Sequence, residues 1–171
     1  MRFDLSITAE TGRAHVPFLR RQLKSAYALL AARSNAPGGL PLRGLSLVLV
    51  GDRRMSDLHA EFMGIAGPTD VLTFPMETDA AARVTSGEII VCVSEARRQA
   101  RIRKASPQLE LLLYALHGML HLLGYDDRTD RAFRTMHRTE DAILTELGFG
   151  PVFADSTPAL ATSGRSKGGR R

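Results

Sequence analysis

Residues 106–124 read Ser106-Pro107-Gln108-Leu109-Glu110-Leu111-Leu112-Leu113-Tyr114-Ala115-Leu116-His117-Gly118-Met119-Leu120-His121-Leu122-Leu123-Gly124. A hydroxyl residue followed by proline is a helix start, because the hydroxyl accepts from a free N–H and proline suits the first helical position. Gly124 is a matching stop. Between them almost every position is apolar, so this helix has no face suited to water. A helix apolar all round belongs in the middle of a fold. The rest of the chain is therefore expected to wrap it.

Working outward, residues 3–8 alternate Phe3, Leu5 and Ile7 with polar residues, which predicts a half-buried strand. Pro17 opens a helix to about Arg33, with Leu19, Leu23, Tyr27 and Leu30 on one face. Asn35 to Gly39 is a loop. Leu45 to Val50 is a nearly continuous apolar run stopped by Gly51, as in a strand buried on both faces. A helix is expected over 52–62, with Met55, Leu58 and Phe62 inward. A short strand follows over 70–74, ended by Pro75, and then a loop from Thr78 to Gly87. Glu88 to Val93 is a second buried strand, and Ser94 is placed to cap a helix to about Lys104. A final helix spans about 129–147, with Phe133, Met136, Ile143, Leu144 and Leu147 inward. Helices alternating with strands early on imply parallel pairing, and two successive strands imply an antiparallel pair. The predicted fold is α/β (α+β): a small mixed four-stranded sheet with about five helices.

The chain has 171 residues, enough for one domain with its own core. We expect that domain to span 1–153 and a disordered tail to span 154–171. From Asp155 onward, Arg165, Lys167, Arg170 and Arg171 face a single acid, so the tail supplies +3 of the formal +5 charge. Such an arm either attracts polyanions or only aids solubility. No apolar run approaches the roughly 20 residues of a membrane helix, and the first residues lack an export pattern. The lone Cys92, inside an apolar run, reads as a small buried side chain. These features point to a cytoplasmic protein with no membrane partner.

The chemistry lies at the end of the central helix. His117 and His121 are four apart, hence on one face and one turn apart. Two imidazoles on an otherwise apolar helix are either packed core histidines or metal ligands. Leaving both unpaired in a core would cost about 1–3 kcal/mol each, which favours ligation. Gly124 turns the chain back, and Asp127, six residues after His121, is within reach as a third ligand. The pattern is H-x3-H-x5-D. Asp126 beside it is the alternative ligand, a base or a hydrogen-bond partner. Gly118 occupies the place where H-E-x-x-H peptidases carry their glutamate, so that route to peptide hydrolysis is absent. His59 and His137 lack ligand spacing and are read as packing or surface residues, and His15 as a loop residue.

This segment resembles the metal motif of the YbeY endoribonuclease family, H-G-x-L-H-L-x-G-Y-D-H, at His117, Gly118, Leu120, His121, Leu122, Gly124, Tyr125 and Asp126. Gly67 to Pro75 resembles the family's P-T-D-V-L-S-F-P strand, and Ser86 to Cys92 its G-D-I-x-I strand. The order and spacing agree over about residues 3–150. The resemblance implies a bacterial, cytoplasmic, zinc-dependent endoribonuclease specific for single strands. It would act in 16S rRNA maturation and ribosome quality control. Its partners would be ribosomal RNA and the small ribosomal subunit, with ribosomal proteins or an assembly GTPase alongside; no DNA specificity is expected.

Two departures accompany the resemblance. Asp127 stands where the family has its third histidine, and Met63 where it has an arginine before P-T-D. The expected ligands are thus His117, His121 and Asp127 holding one Zn2+, or another divalent ion. Those three and Asp126 are the catalytic candidates, with Tyr125 and Asp126 shaping the turn and Thr69 and Asp70 bordering the groove. A carboxylate binds zinc at about the imidazole distance, roughly 2.0–2.2 Å, but its charge makes the ion a weaker Lewis acid. Met63 cannot form the forked phosphate contact of arginine. Arg97, Arg98, Arg101, Arg103 and Lys104 are either an RNA-contacting face or a solvated one. The departures also allow a ribosome-assembly factor that keeps the metal and cuts RNA poorly. The ligand set by itself also permits another metal hydrolase or an iron oxygenase.

Overall fold

A computed structural model describes residues 3–33 and 36–153. The chain runs β1 (Asp4–Ala9), a short 3₁₀ turn (Arg13–His15), α1 (Val16–Arg33), β2 (Gly44–Val50), α2 (Asp52–Met63), β3 (Val71–Thr78), β4 (Val84–Cys92), α3 (Val93–Arg103), α4 (Pro107–Leu122) and α5 (Asp130–Glu146). The predicted tail over 154–171 lies outside the described residues. No described helix is long and apolar enough to cross a membrane.

The sheet order is β1-β2-β4-β3. The first two pairings are parallel and β3–β4 is antiparallel, giving the expected mixed α/β sheet. Strand alternation assigns the two inner strands to two cores. Leu45, Leu47, Leu49, Ile89 and Val91 join the larger core under α1 and α4. Val50, Ile90 and Cys92 join the smaller one with Met55 and Leu58 of α2.

The helix that opened the sequence reading is central. Ser106 Oγ accepts from Leu109 N at 3.1 Å, Pro107 begins α4, and Gly124 takes a φ of +89° just beyond its end. Gly124 also packs against Gly38, where a Cβ would lie 2.9 Å from the amide nitrogen. Gly118 faces the sheet: a Cβ there would meet Thr73 Oγ1 at 2.7 Å and Ile89 Cδ1 at 3.0 Å. The helix lies against β3 and β4 because this residue has no side chain. Gly118→Ala is expected to cost about 1–3 kcal/mol in strain. Alanine's helix preference returns up to about 1 kcal/mol. Thermal unfolding should show a net fall in Tm of roughly 3–6 °C.

Five local expectations are corrected. Pro75 does not end β3, which continues to Thr78. β3 is the edge strand, so the missing N–H leaves no neighbour unpaired, and the register shifts only after Pro75. Residues 84–87 are strand rather than loop, aligned on Gly44 and Leu45 of β2, their small polar side chains giving no alternation signal. The real turn is Asp79–Arg83, where Asp79 Oδ1 accepts from Ala81 N (2.9 Å) and Arg83 N (3.0 Å). Ser94 is not a cap: α3 starts one residue earlier, with Cys92 at the cap position and no side-chain bond. Phe62 and Phe133 are not inward, being 55% and 46% exposed. Phe62 sits beyond the small core, against Phe74 on the sheet edge. Phe133 stands edge-on to His137, 4.0 Å away between centroids. The inward face of α5 carries Met136, Glu140, Ile143 and Leu144.

Candidate metal centre

The last two turns of α4 present His117 and His121 into a groove of about 500 Å³. Asp70 through Thr73 and Pro75 form its facing wall, and Met63 reaches in from the end of α2. His117 Nε2 and His121 Nε2 are 3.1 Å apart. Asp127 Oδ2 lies 3.7 Å from each of them. All three donor atoms fall within 4.8 Å of one another, a group of the kind that holds a metal. Tetrahedral ligands at about 2.0–2.1 Å from zinc stand roughly 3.3 Å apart. The residues present therefore fit an ion with little adjustment.

Each imidazole is held by its other nitrogen. His121 Nδ1–H donates to the Tyr125 carbonyl at 3.2 Å. A carbonyl only accepts, so Nδ1 carries the proton and the Nε2 lone pair faces the site. His117 Nδ1–H donates to Glu140 Oε1 at 2.8 Å. Glu140 is fully buried and its second oxygen accepts from His137 Nδ1–H at 2.6 Å. A carboxylate behind a ligating histidine sets the ring's tautomer and orientation.

Burial works to lower the His117 pKa, but the hydrogen bond and charge of Glu140, with help from Asp127 and Asp70, hold it above the ordinary 6.5. A raised pKa stabilises the metal-free fold below pH 6.5, and this contribution fades as pH rises through the higher folded value. For metal binding the same proton is a competitor. Zinc affinity should therefore fall by about tenfold per pH unit for each proton displaced. Titration calorimetry should locate that fall at a pH above the ordinary histidine value.

Asp126 is kept out of the group. Its Oδ1 accepts from Asp127 N (2.9 Å), and both oxygens take Arg128 Nε at 2.9 Å. The Arg128 hydrogen bond pulls its carboxyl below the usual range. Tyr125, 7% exposed, anchors the turn through its N–H to the Leu120 carbonyl. Asp70 lines the groove, while Thr69 only bonds to Asp70. His59 accepts or donates at the Gly67 carbonyl, steadying the loop after α2. Arg98 is committed to Asp52 by two bonds of 2.7 Å.

Reading the sequence missed Glu140 and the use of His137. The available signal was a lone acid on the inward face of α5, three residues from a histidine. Periodicity marks the face but not its distant partner.

Fold and site together define a class: an α/β protein with a His–His–Asp group at the end of its buried central helix. The profile of the family described as Endoribonuclease YbeY matches residues 7–148. The chain belongs to the YbeY family. It is 34% identical over 148 residues to the Endoribonuclease YbeY of Frankia casuarinae, covering 81% of this chain and 71% of that one. The Saccharopolyspora erythraea protein of the same name is 42% identical over 127 residues, covering 69% of each chain. A Thermotoga maritima protein solved in solution is similar in structure, with a TM-score of 0.55 and 25% identity over 84% of this chain and 91% of that one.

Proposed function

We propose that the chain is a metal-dependent endoribonuclease for single-stranded RNA, a cytoplasmic protein acting on 16S rRNA and the small ribosomal subunit in rRNA maturation and ribosome quality control. The observation that carries this is the convergence of His117, His121 and Asp127 on one point in an open groove, in a chain of the YbeY family. His117 and His121 would hold one ion through Nε2 and Asp127 through a carboxylate oxygen, with Zn2+ the ion this donor set suits. When bound, such an ion supplies Lewis acidity toward a phosphodiester oxygen and lowers the pKa of water.

The chain's own residues do the rest. Glu140 and the Tyr125 carbonyl keep both Nδ1 atoms protonated and the Nε2 atoms turned to the groove. Asp70 faces them from the opposite wall and, among the described residues, has no cationic partner. We assign it the proton of the attacking hydroxyl, a role that asks for a carboxylate with a free oxygen. Asp126 shapes the turn. The domain is taken as 1–153, with the basic tail beyond it available to RNA phosphates.

A second reading is a ribosome-assembly factor that keeps fold and metal but cuts RNA poorly. The lining of the groove favours it: Met63 is there and no arginine or lysine is. Cleavage of a single-stranded RNA by the wild type and by the Met63→Arg/Asp127→His double variant separates the two. The endoribonuclease reading expects metal-dependent cleavage by the wild type, lost with a chelator and increased in the double variant. A silent wild type with an active double variant favours the assembly role, and silence in both removes the nuclease reading.

A further inference from the structure

Beside His117 lies a second cavity that the metal centre does not use. It measures about 160 Å³ and meets the metal groove at Asp70, Val71 and His117. Leu113 and Phe153 give it apolar walls, and Tyr114 and Arg103 stand at its polar end. Phe153 is pinned in place by Val152 N and Phe153 N, which donate to Asp141 Oδ1 at 2.7 and 2.9 Å.

The polar end is unsatisfied. Tyr114 is 6% exposed and its hydroxyl has no hydrogen-bond partner. Glu110, one turn earlier on α4, is 2% exposed and its Oε2 is also unpartnered. The other oxygen is 3.5 Å from Arg103 Nη1. Buried donors and acceptors are nearly always paired. A carboxylate, a phenol and a guanidinium at one end of an apolar slot make up a recognition edge awaiting a flat, polar-rimmed guest.

We propose that this cavity binds one pyrimidine base of the RNA, from the nucleotide next to the phosphate at the metal centre. The proposal rests on the ribonuclease reading above for its substrate. Size selects a single ring: an engineered cavity of about 150 Å³ in another protein takes up benzene, and a fused purine needs more room. The ring faces suit Leu113 and Phe153. At the edge, Glu110 accepts from a base N–H, as carboxylates do from the cytosine amino group. Tyr114 and Arg103 donate to the adjoining oxygen or ring nitrogen. The shared wall at His117 puts the base within one nucleotide of the groove. Only an unpaired nucleotide can turn its base out in this way, so the pocket also supplies a physical reason for single-strand specificity.

The test is an NMR titration of the full-length, zinc-loaded protein with cytidine and adenosine 5′-monophosphates. Cytidine monophosphate should shift the Val71, Leu113 and Phe153 amides saturably, with adenosine monophosphate at least about fivefold weaker. Tyr114→Phe should weaken the cytidine ligand roughly fivefold or more. Arg103→Gln, at a partly exposed residue, provides the same readout if the first variant misfolds. Equal binding of both nucleotides, shifts confined to residues around His121 and Asp127, or unchanged affinity in both variants would each overturn the proposal. RNA cleavage is assayed in parallel. A protein that binds cytidine monophosphate in the cavity yet cuts no RNA sinks the ribonuclease reading and keeps the pyrimidine site. One that cuts RNA but ignores the mononucleotide sinks the pocket alone.

Discussion

An Asp127→Ala variant is expected to lose its metal and remain folded. Asp127 follows Gly124 on a turn outside the core, its side chain is 38% exposed, and its Oδ2 touches only the two imidazoles. Nothing else in the fold depends on it. Loss of an outer partner of a metal ligand costs about 10–100-fold in affinity, and a direct ligand weighs more. Zinc affinity should therefore drop by more than about 100-fold. Several kcal/mol of transition-state stabilisation leave with the ion, which is about 100-fold or more in the rate of RNA cleavage. Asp126→Ala is the matched control. Its carboxylate is occupied by Arg128 and by turn amides, so the variant should keep its zinc. Metal analysis of the two purified proteins decides between the neighbouring acids. Retention by the Asp127 variant and loss by the Asp126 variant would reverse the assignment.

Glu140 carries the second large effect, and a different kind. Glu140→Ala removes the only acid inside α5 and leaves the Nδ1–H groups of His117 and His137 without an acceptor. Breaking a buried ionic network by removing one partner costs about 3–5 kcal/mol. The histidine side chains here are 25% and 16% exposed, so water recovers part of that loss. A fall of about 2–4 kcal/mol, or roughly 5–15 °C in Tm, is the expected result. Glu140→Gln keeps the volume and one acceptor. It should lose less stability but still lower zinc affinity by about 10–100-fold, because a neutral amide neither fixes the His117 tautomer as firmly nor raises its basicity. Zinc binding unchanged in Glu140→Gln would show that the carboxylate only fills space.

The parts of this protein that are local in sequence were legible there. Ser106, Pro107 and Gly124 bound α4 because caps and turns depend on one residue's own backbone and side chain. Spacing of four puts His117 and His121 on one face whatever surrounds the helix. The apolar runs at Leu45–Val50 and Glu88–Val93 became the inner strands, since a strand buried on both faces must be apolar on both. The misread elements are the ones whose state depends on a neighbour. Pro75 is tolerated only because β3 is an edge, and residues 84–87 form a strand only because β2 lies alongside. Phe62 and Phe133 are outside because the cores end before reaching them.

The site divides in the same way. By itself the sequence determined two imidazoles at helical spacing, a glycine turn and a nearby pair of acids. It left open which acid joins them. Tertiary structure decided that: the turn spends Asp126 on Arg128 and delivers Asp127 to the imidazoles. It also brought Glu140, 23 residues along the chain, behind His117, and stood Met63 and Asp70 at the groove. Helical periodicity is a property of one segment and can be read from it. A contact between segments depends on how whole elements pack, and no local pattern encodes the partner.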